Sequence, residues 1–315
     1  MTSPTVAFIG LGNMGGPMAA NLVRAGYAVR GHDVSAEARA SAREAGVATV
    51  AGSAQAVTDA DVVFTMLPNG RILLDLYGTG EPGSAGLLGA ARPGTLFVDC
   101  STVDVADARV AHDRALAAGH RAVDAPVSGG TGGATAGTLT FMCGGEAADI
   151  ERVRPLLEVM GATIVPCGDS GAGQAAKICN NMILGISMIA VSEAFVLGEA
   201  LGLSHEALYR VAARSSGQCW ALTTNCPVPG PVPTSPANRD YRPGFMGGLM
   251  AKDLGLALNA IEDTGVAARL GPLAAGIYRE FAAGEGAGQD FSGIIVRIRA
   301  ESGAGITAAS AASGK

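Results

Sequence analysis

Charge is scarce in this chain. Asp, Glu, Lys and Arg make up 16% of its 315 residues, too little for a disordered or strongly ionic protein. No run of lysine or arginine occurs and the net charge is −6, which argues against nucleic acid or an anionic membrane as partner. A small anionic substrate then needs a local cluster of donors, because the overall field does not attract it. The six cysteines (Cys100, Cys143, Cys167, Cys179, Cys219, Cys226) form no C-x-x-C pair and share no metal-ligand spacing with histidine. They read as buried thiols of a reducing compartment. His32, His112, His120 and His205 are scattered, which leaves neither a metal site nor a His-based triad. No basic leader precedes the strand-like run at 5–10. The most apolar long stretch, 182–197, contains Ser187, Ser192 and Glu193 and falls short of the ~20 apolar residues of a membrane span. The expectation is a soluble, cytoplasmic protein with no membrane partner.

Apolar residues, by contrast, are 48% of the chain, and its length accommodates two domains. Short apolar runs at 6–9, 28–33, 62–66, 95–99, 122–124, 139–143 and 163–165 alternate with helical spacing at 14–25, 36–45, 105–118 and 147–160. That is the signature of βαβ units around a parallel sheet. Ser35 and Ser53 stand where N-caps belong, and Gly26, Gly46, Gly119 and Gly161 where C-caps belong. From Gly171 a helical pattern runs to about Leu201, apolar over most of its circumference, so it belongs between domains or subunits. Helices follow at 204–214, 247–264 and 272–283, with no strand signal beyond 170. Six prolines between Cys226 and Gly244 predict a stiff, extended connection, and 302–315 reads as a disordered tail. The domains are then 1–168, a dinucleotide-binding domain, and 169–301, an all-helical substrate and oligomerisation domain.

The strongest local signal is Gly10-Leu11-Gly12-Asn13-Met14-Gly15, which follows an apolar strand, opens a helix and precedes a second strand ending in Asp33. Gly10 permits a tight turn, Gly12 lets backbone approach a pyrophosphate, and Gly15 allows close packing of helix on strand. The positive end of the helix receives the phosphates. Asp33, 18 residues past Gly15, accepts from the adenosine ribose hydroxyls. A 2′-phosphate there would meet a like charge, and Val34 and Ser35 supply no arginine to offset it, so NAD is favoured over NADP.

Three further constellations carry chemistry. In Asp124-Ala-Pro-Val-Ser128-Gly129-Gly130, Ser128 and the glycine amides can wrap a carboxylate, although a flexible glycine loop accounts for the same residues. In Gly173-Gln-Ala-Ala-Lys177-Ile-Cys-Asn-Asn181, Lys177 and Asn181 lie i, i+4 on one helix face. A lysine buried on an apolar helix is desolvated toward neutrality and can exchange a proton with an alcohol, whereas a lone helical lysine is more commonly solvated. The Lys252-Asp253 pair starts a helix, where a first-turn charge pair is the simpler reading.

At these residues the sequence resembles the β-hydroxyacid dehydrogenase family over about residues 5–298, most closely its 3-hydroxyisobutyrate-oxidising members. Thr65-Met-Leu-Pro68, Leu139-Thr-Phe-Met142, Ser215-Ser-Gly-Gln-Cys-Trp220, Pro227-Val-Pro-Gly230, Leu249-Met-Ala-Lys252-Asp253 and Asp290-Phe-Ser292 extend the likeness. The resemblance implies a Rossmann-type α/β domain followed by an all-α domain joined by a long interdomain helix. It implies Lys177 as catalytic acid/base, Asn181 holding substrate, and Ser128, Gly129 and Gly130 binding its carboxylate. Thr102 would lie between substrate and nicotinamide, Leu67 and Pro68 would line the cofactor groove, and Lys252 would reach over the cofactor. The implied reaction is oxidation of 3-hydroxyisobutyrate by NAD in valine breakdown, by a homodimer or homotetramer. The alternative is a reductase of another small semialdehyde, of tartronate or succinic semialdehyde type. One departure stands out: Asp99-Cys-Ser-Thr-Val-Asp-Val105 lacks the proline that usually ends this substrate motif.

Overall fold

The computed structural model describes residues 3–79 and 86–303. The chain divides into two compact units between Lys177 and Ile178.

In the first unit the apolar runs become strands: β1 Val6–Ile9, β2 Val29–His32, β3 Ala48–Thr49, β4 Val62–Thr65, β5 Leu96–Asp99, β6 Arg121–Asp124, β7 Val127–Ser128, β8 Leu139–Gly144 and β9 Gly161–Gly168. They form one sheet in the order β3-β2-β1-β4-β5-β6-β8-β7, with β9 beside β8. The strands from β3 to β6 are parallel, while β8 joins β6 antiparallel. β1, β4 and β5 are buried along their whole length because helices cover both faces, which is why they read as unbroken apolar runs. Val6, Phe8, Phe64 and Val98 face one core, where the Phe8 and Phe64 rings stack with centroids 5.6 Å apart. Ala7, Ile9, Val63 and Phe97 face the other.

The expected helices form as Gly15–Arg24, Ala36–Glu44, Val105–Ala117 and Ala147–Met160. Ser35 caps the second, accepting from Ala38 N–H at 3.2 Å. Ser53 does not cap: Gly52 holds the N-cap position and Ser53 is the first helical residue. Gly161 does stand as the C-cap of Ala147–Met160, its N–H donating to the Leu157 carbonyl, but it is not left-handed. It is extended and begins β9, where a Cβ would stand 2.4 Å from the Leu139 carbonyl oxygen. Among the six cysteines, all free, Cys100, Cys143 and Cys226 are buried as expected, while Cys167 and Cys219 are half-buried and Cys179 is exposed.

The long helix is Ala172–Ala200, and its first six residues belong to the first unit. By length and composition it is apolar enough to cross a bilayer, which the interrupted stretch at 182–197 did not suggest; 44% of its most apolar window is buried inside the protein. The second unit continues with His205–Ala212, Gly247–Thr264, Leu270–Ala282 and Ile294–Glu301. Its described residues hold no strand, only an isolated bridge between Met246 and Asp290. The proline-rich segment is folded rather than extended. Val228 and Val232 enter the core, Ser235 Oγ donates to the Cys226 carbonyl at 2.5 Å, and Tyr241 OH donates to the Pro227 carbonyl at 2.8 Å. The tail expected at 302–315 begins as the C-cap Ser302 and a left-handed Gly303; the remainder lies outside the described residues.

Candidate active site at the carboxyl edge of the sheet

The three motif glycines are required for three different reasons. Gly10 has φ +93°, and a Cβ on it would stand 2.2 Å from the Met66 carbonyl oxygen. A Cβ on Gly15 would stand 1.9 Å from the Gly10 carbonyl oxygen and 2.9 Å from the Phe8 ring, so helix and strand touch there. A Cβ on Gly12 would meet nothing within 4 Å. That open, exposed backbone fits the approach of a pyrophosphate. The helix Gly15–Arg24 starts beside it with no side-chain cap, as a phosphate site requires. Asn13 is exposed, Met14 packs against the core, and Leu11 is buried with its N–H on Asp33 Oδ2 at 2.7 Å. The other oxygen of Asp33 takes Ser35 N–H at 2.7 Å, so the carboxylate is fixed at the end of β2. A cation does reach this place. Arg39, one helical turn beyond Ser35, donates to the carbonyls of Asp33 at 2.5 Å and Val34 at 3.1 Å.

Parallel register sets Ile9, Thr65, Asp99 and Asp124 in one row across the carboxyl ends of β1, β4, β5 and β6. Asp99 Oδ1 accepts from Thr65 Oγ1 at 2.7 Å and Ser101 Oγ at 2.6 Å, while Ser101 Oγ accepts from Leu67 N–H at 2.8 Å. The loop of Leu67 and Pro68 is thereby tied to the loop of Thr102. Leu67 and Thr102 are half-buried and Pro68 is exposed. Burial, with the Asp99 charge adding to it, pushes the Tyr77 phenol and the Cys100 thiol well above their usual ranges.

Ser128 ends β7, and Gly129 and Gly130 turn the chain with φ +135° and +61°. The glycine-rich stretch beyond is not a loop: Gly130–Ala136 is helical. Lys177 lies in the second turn of the long helix with 7% of its surface exposed. That helix starts on Asp124, whose oxygens accept from Gly171 N–H at 2.7 Å and Gln174 N–H at 3.0 Å. Burial raises the Asp124 carboxyl to about 6, the two amides working against it and the Asp99 charge with it.

In the second unit, Asn181 is buried, and its Nδ2 donates to Asp253 Oδ2 at 2.5 Å while its Oδ1 accepts from Asn180 Nδ2 at 2.9 Å. Lys252 Nζ lies 3.5 Å from Asp253 Oδ1. Because the helix begins at Gly247, the Lys252-Asp253 pair sits in its second turn and not its first. Gln174 and Arg39 were given no role from the sequence, and Asp253 and Asp99 stood only within the motifs, with no ligand assigned to them. Asp253 carried a signal, a charged residue on the apolar side of its helix; the others depend on loop and helix geometry that no spacing encodes.

Two family profiles match the chain. The NAD-binding domain of 6-phosphogluconate dehydrogenase covers residues 5–168, and the NAD-binding domain of NADP-dependent 3-hydroxyisobutyrate dehydrogenase covers 171–298. The chain is 53% identical to a probable 3-hydroxyisobutyrate dehydrogenase of Mycobacterium tuberculosis, over 94% of this chain and 98% of that one. The chain belongs to the 3-hydroxyisobutyrate dehydrogenase family. A solved structure of a Mycobacterium tuberculosis 3-hydroxyisobutyrate dehydrogenase with L-serine superposes with a TM-score of 0.89 at 53% identity, covering 95% of this chain and all of that one. An NAD-dependent L-serine dehydrogenase of Pseudomonas aeruginosa is 46% identical over 91% of this chain and 95% of its own length. The protein is thus an oxidoreductase, an NAD-dependent hydroxy acid dehydrogenase with a Rossmann-type domain and a helical domain.

Proposed function

We propose that this family member oxidises 3-hydroxyisobutyrate to methylmalonate semialdehyde, a step of valine breakdown, with Lys177 as the acid/base. The observation that carries the reading is a lysine held almost out of solvent on a helix anchored at the carboxyl edge of a dinucleotide-binding sheet. NAD supplies hydride acceptance from the carbinol carbon. The chain supplies the rest. Lys177, held almost out of solvent, takes the hydroxyl proton as the carbonyl forms. Ser128 Oγ and the turned amides at Gly129 and Gly130 bind the carboxylate, providing the local donors that a chain of net charge −6 requires. Thr102, Leu67 and Pro68 border the nicotinamide, and Lys252 is assigned to the cofactor. Asn181, its amide oriented by Asp253, retains one N–H and one lone pair for the substrate.

L-Serine is the second reading, favoured by the serine dehydrogenase of Pseudomonas aeruginosa and the L-serine complex of the mycobacterial relative. Both substrates carry a primary alcohol two carbons from a carboxylate, and differ in a methyl or an ammonium between them. NADH absorbance with NAD and a panel of 3-hydroxyisobutyrate, L-serine, 3-hydroxypropionate, glycerate and 4-hydroxybutyrate separates the two. A higher kcat/KM for L-serine overturns the assignment to valine breakdown and keeps the chemistry. Lys177→Ala is expected to slow turnover by ~10²–10⁴ with NAD affinity unchanged. Near-normal turnover would remove Lys177 from the mechanism.

The homo-oligomer expected from the family is supported by apolar side chains left exposed on one protomer. In the helical unit Ile183, Leu197, Leu270 and Leu273 are each 60–64% exposed.

A further inference from the structure

The N-terminus of the long helix is not capped by its own sequence. In a local capping box the N-cap amide and the third helical amide are satisfied from within the helix. Here both, Gly171 N–H and Gln174 N–H, go to the carboxylate of Asp124 at the end of β6. Room for this contact comes from two glycines. A Cβ on Gly144 would lie 2.5 Å from Asp124 Oδ1, and one on Gly173 would lie 2.7 Å from Oδ2 and 2.2 Å from the Met142 carbonyl oxygen. The next residue, Gln174, is fully buried and turns its side-chain amide onto the loop after β5. Its Oε1 accepts from Val103 N–H at 3.1 Å and its Nε2 donates to the Ser101 carbonyl at 2.8 Å. The backbone on both sides of Thr102 is therefore gripped by one side chain. Lys177 follows Gln174 by three residues, on the same helix face.

We propose that Asp124 and Gln174 are positioning residues for catalysis: together they seat the first turn of the long helix so that Lys177 and Thr102 keep a fixed mutual placement. The inference rests on the reading of Lys177 as the acid/base. Neither residue touches the reacting atoms. Their effect runs through where Lys177 stands, and an error of about 1 Å in such placement costs roughly 10²-fold in rate.

The test uses the full-length enzyme and four variants: Gln174→Met, Asp124→Asn, Asp124→Ala and Lys177→Ala, with Gln174→Met also built on Lys177→Ala. NAD affinity, Tm, kcat and KM are measured for each, with single-turnover NADH formation for the slowest. Gln174→Met and Asp124→Ala are expected to lower kcat roughly 10- to 100-fold with NAD affinity unchanged. Asp124→Asn, which keeps one acceptor oxygen, should recover part of the loss. On the Lys177→Ala background Gln174→Met should have no further effect, because the group it positions is gone. Wild-type kcat in Gln174→Met and Asp124→Asn overturns the inference, as does an equal fold-loss with and without Lys177. Should Asp124→Ala fail to fold, Gln174→Met carries the test alone. Failure of the acid/base reading shows separately, as normal turnover in Lys177→Ala, and takes the inference with it.

Discussion

The three glycines of the dinucleotide motif should separate cleanly into two classes when each is replaced by alanine. At Gly15 the added methyl would overlap the Gly10 carbonyl oxygen at 1.9 Å and press on the Phe8 ring at 2.9 Å, in the middle of a packed strand–helix contact. Overpacking of that kind costs about 1–3 kcal/mol, and more when the obstacle is backbone. At Gly10 a similar clash, 2.2 Å from the Met66 carbonyl oxygen, is compounded by φ +93°, which adds about 1–2 kcal/mol for an L-residue. At Gly12 the methyl meets no protein atom within 4 Å, so the fold should lose nothing. The methyl instead occupies the space proposed for the approach of the pyrophosphate to the backbone. A contact lengthened there weakens NAD by about 10- to 100-fold, equivalent to ~1.4–2.8 kcal/mol. Urea unfolding without cofactor reads the first quantity, and quenching of protein fluorescence by NADH reads the second. Gly12→Ala should match wild type in the urea midpoint and fail in the binding titration, whereas Gly15→Ala should lose stability before any cofactor is added. A Gly12→Ala protein that binds NADH normally, or unfolds as early as Gly15→Ala, refutes the placement of the pyrophosphate over this residue.

Asp33→Asn should narrow the preference for NAD over NADP, because the like charge it removes is worth on the order of 1 to 4 kcal/mol at ~4 Å. Adding Arg39→Ala should abolish the NADP gain, since Arg39 is the cation held on the Asp33 and Val34 carbonyls; titration with each cofactor checks both. Asp290→Ala should destabilise the helical unit by roughly 3–5 kcal/mol, because it strands five donors: Asn225 Nδ2, Gly244 N–H, Phe245 N–H, Ser292 N–H and Ser292 Oγ. A Tm within a degree or two of wild type would contradict it. Asp124 sets a pH dependence. Its carboxyl is raised from 3.8 to about 6 in the folded state, so the stability it contributes is full below about pH 4 and lost as pH rises through about 6. The loss is roughly 3 kcal/mol, and Asp124→Asn should not show it; urea midpoints of the two proteins at pH 4.5 and 7.5 make the comparison.

Much of the fold was legible because its signals are local. Strands buried on both faces leave unbroken apolar runs, and helices with one wet face leave a 3.6-residue period; β1, β4, β5 and the helix Ala147–Met160 were all readable in this way. Illegible elements are those whose shape is imposed from elsewhere. Gly130–Ala136 is helical despite glycines at 130, 132 and 133, which carry the poorest propensity short of proline. The prolines of 227–243 announce stiffness, but the return of Ser235 to the Cys226 carbonyl and of Tyr241 to the Pro227 carbonyl is a tertiary fact, and it turns an expected extended connection into part of a core.

The site divides along the same line, and the division has a physical cause. Residues that serve a fixed backbone shape, such as Gly10, Gly12 and Gly15, must recur at fixed spacing, so spacing reveals them. Residues that orient other residues need only arrive at the right place, by whatever route the fold allows. Asp253 reaches Asn181 from 72 positions away, Gln174 reaches Ser101 from 73, and Asp124 reaches Gly171 from 47. Each is a buried polar group whose hydrogen bonds have to be accounted for, and that accounting identifies it. A carboxylate held out of water at the start of the long helix, despite a carboxyl pushed up to about 6, is costly as a cap for stability alone, since a neutral acceptor avoids the desolvation. What a carboxylate offers that one neutral amide does not is two acceptor oxygens for two amides, and hence a helix start fixed in direction as well as position. For a helix that carries the proposed proton-transfer residue, Lys177, in its second turn, direction is the property that matters.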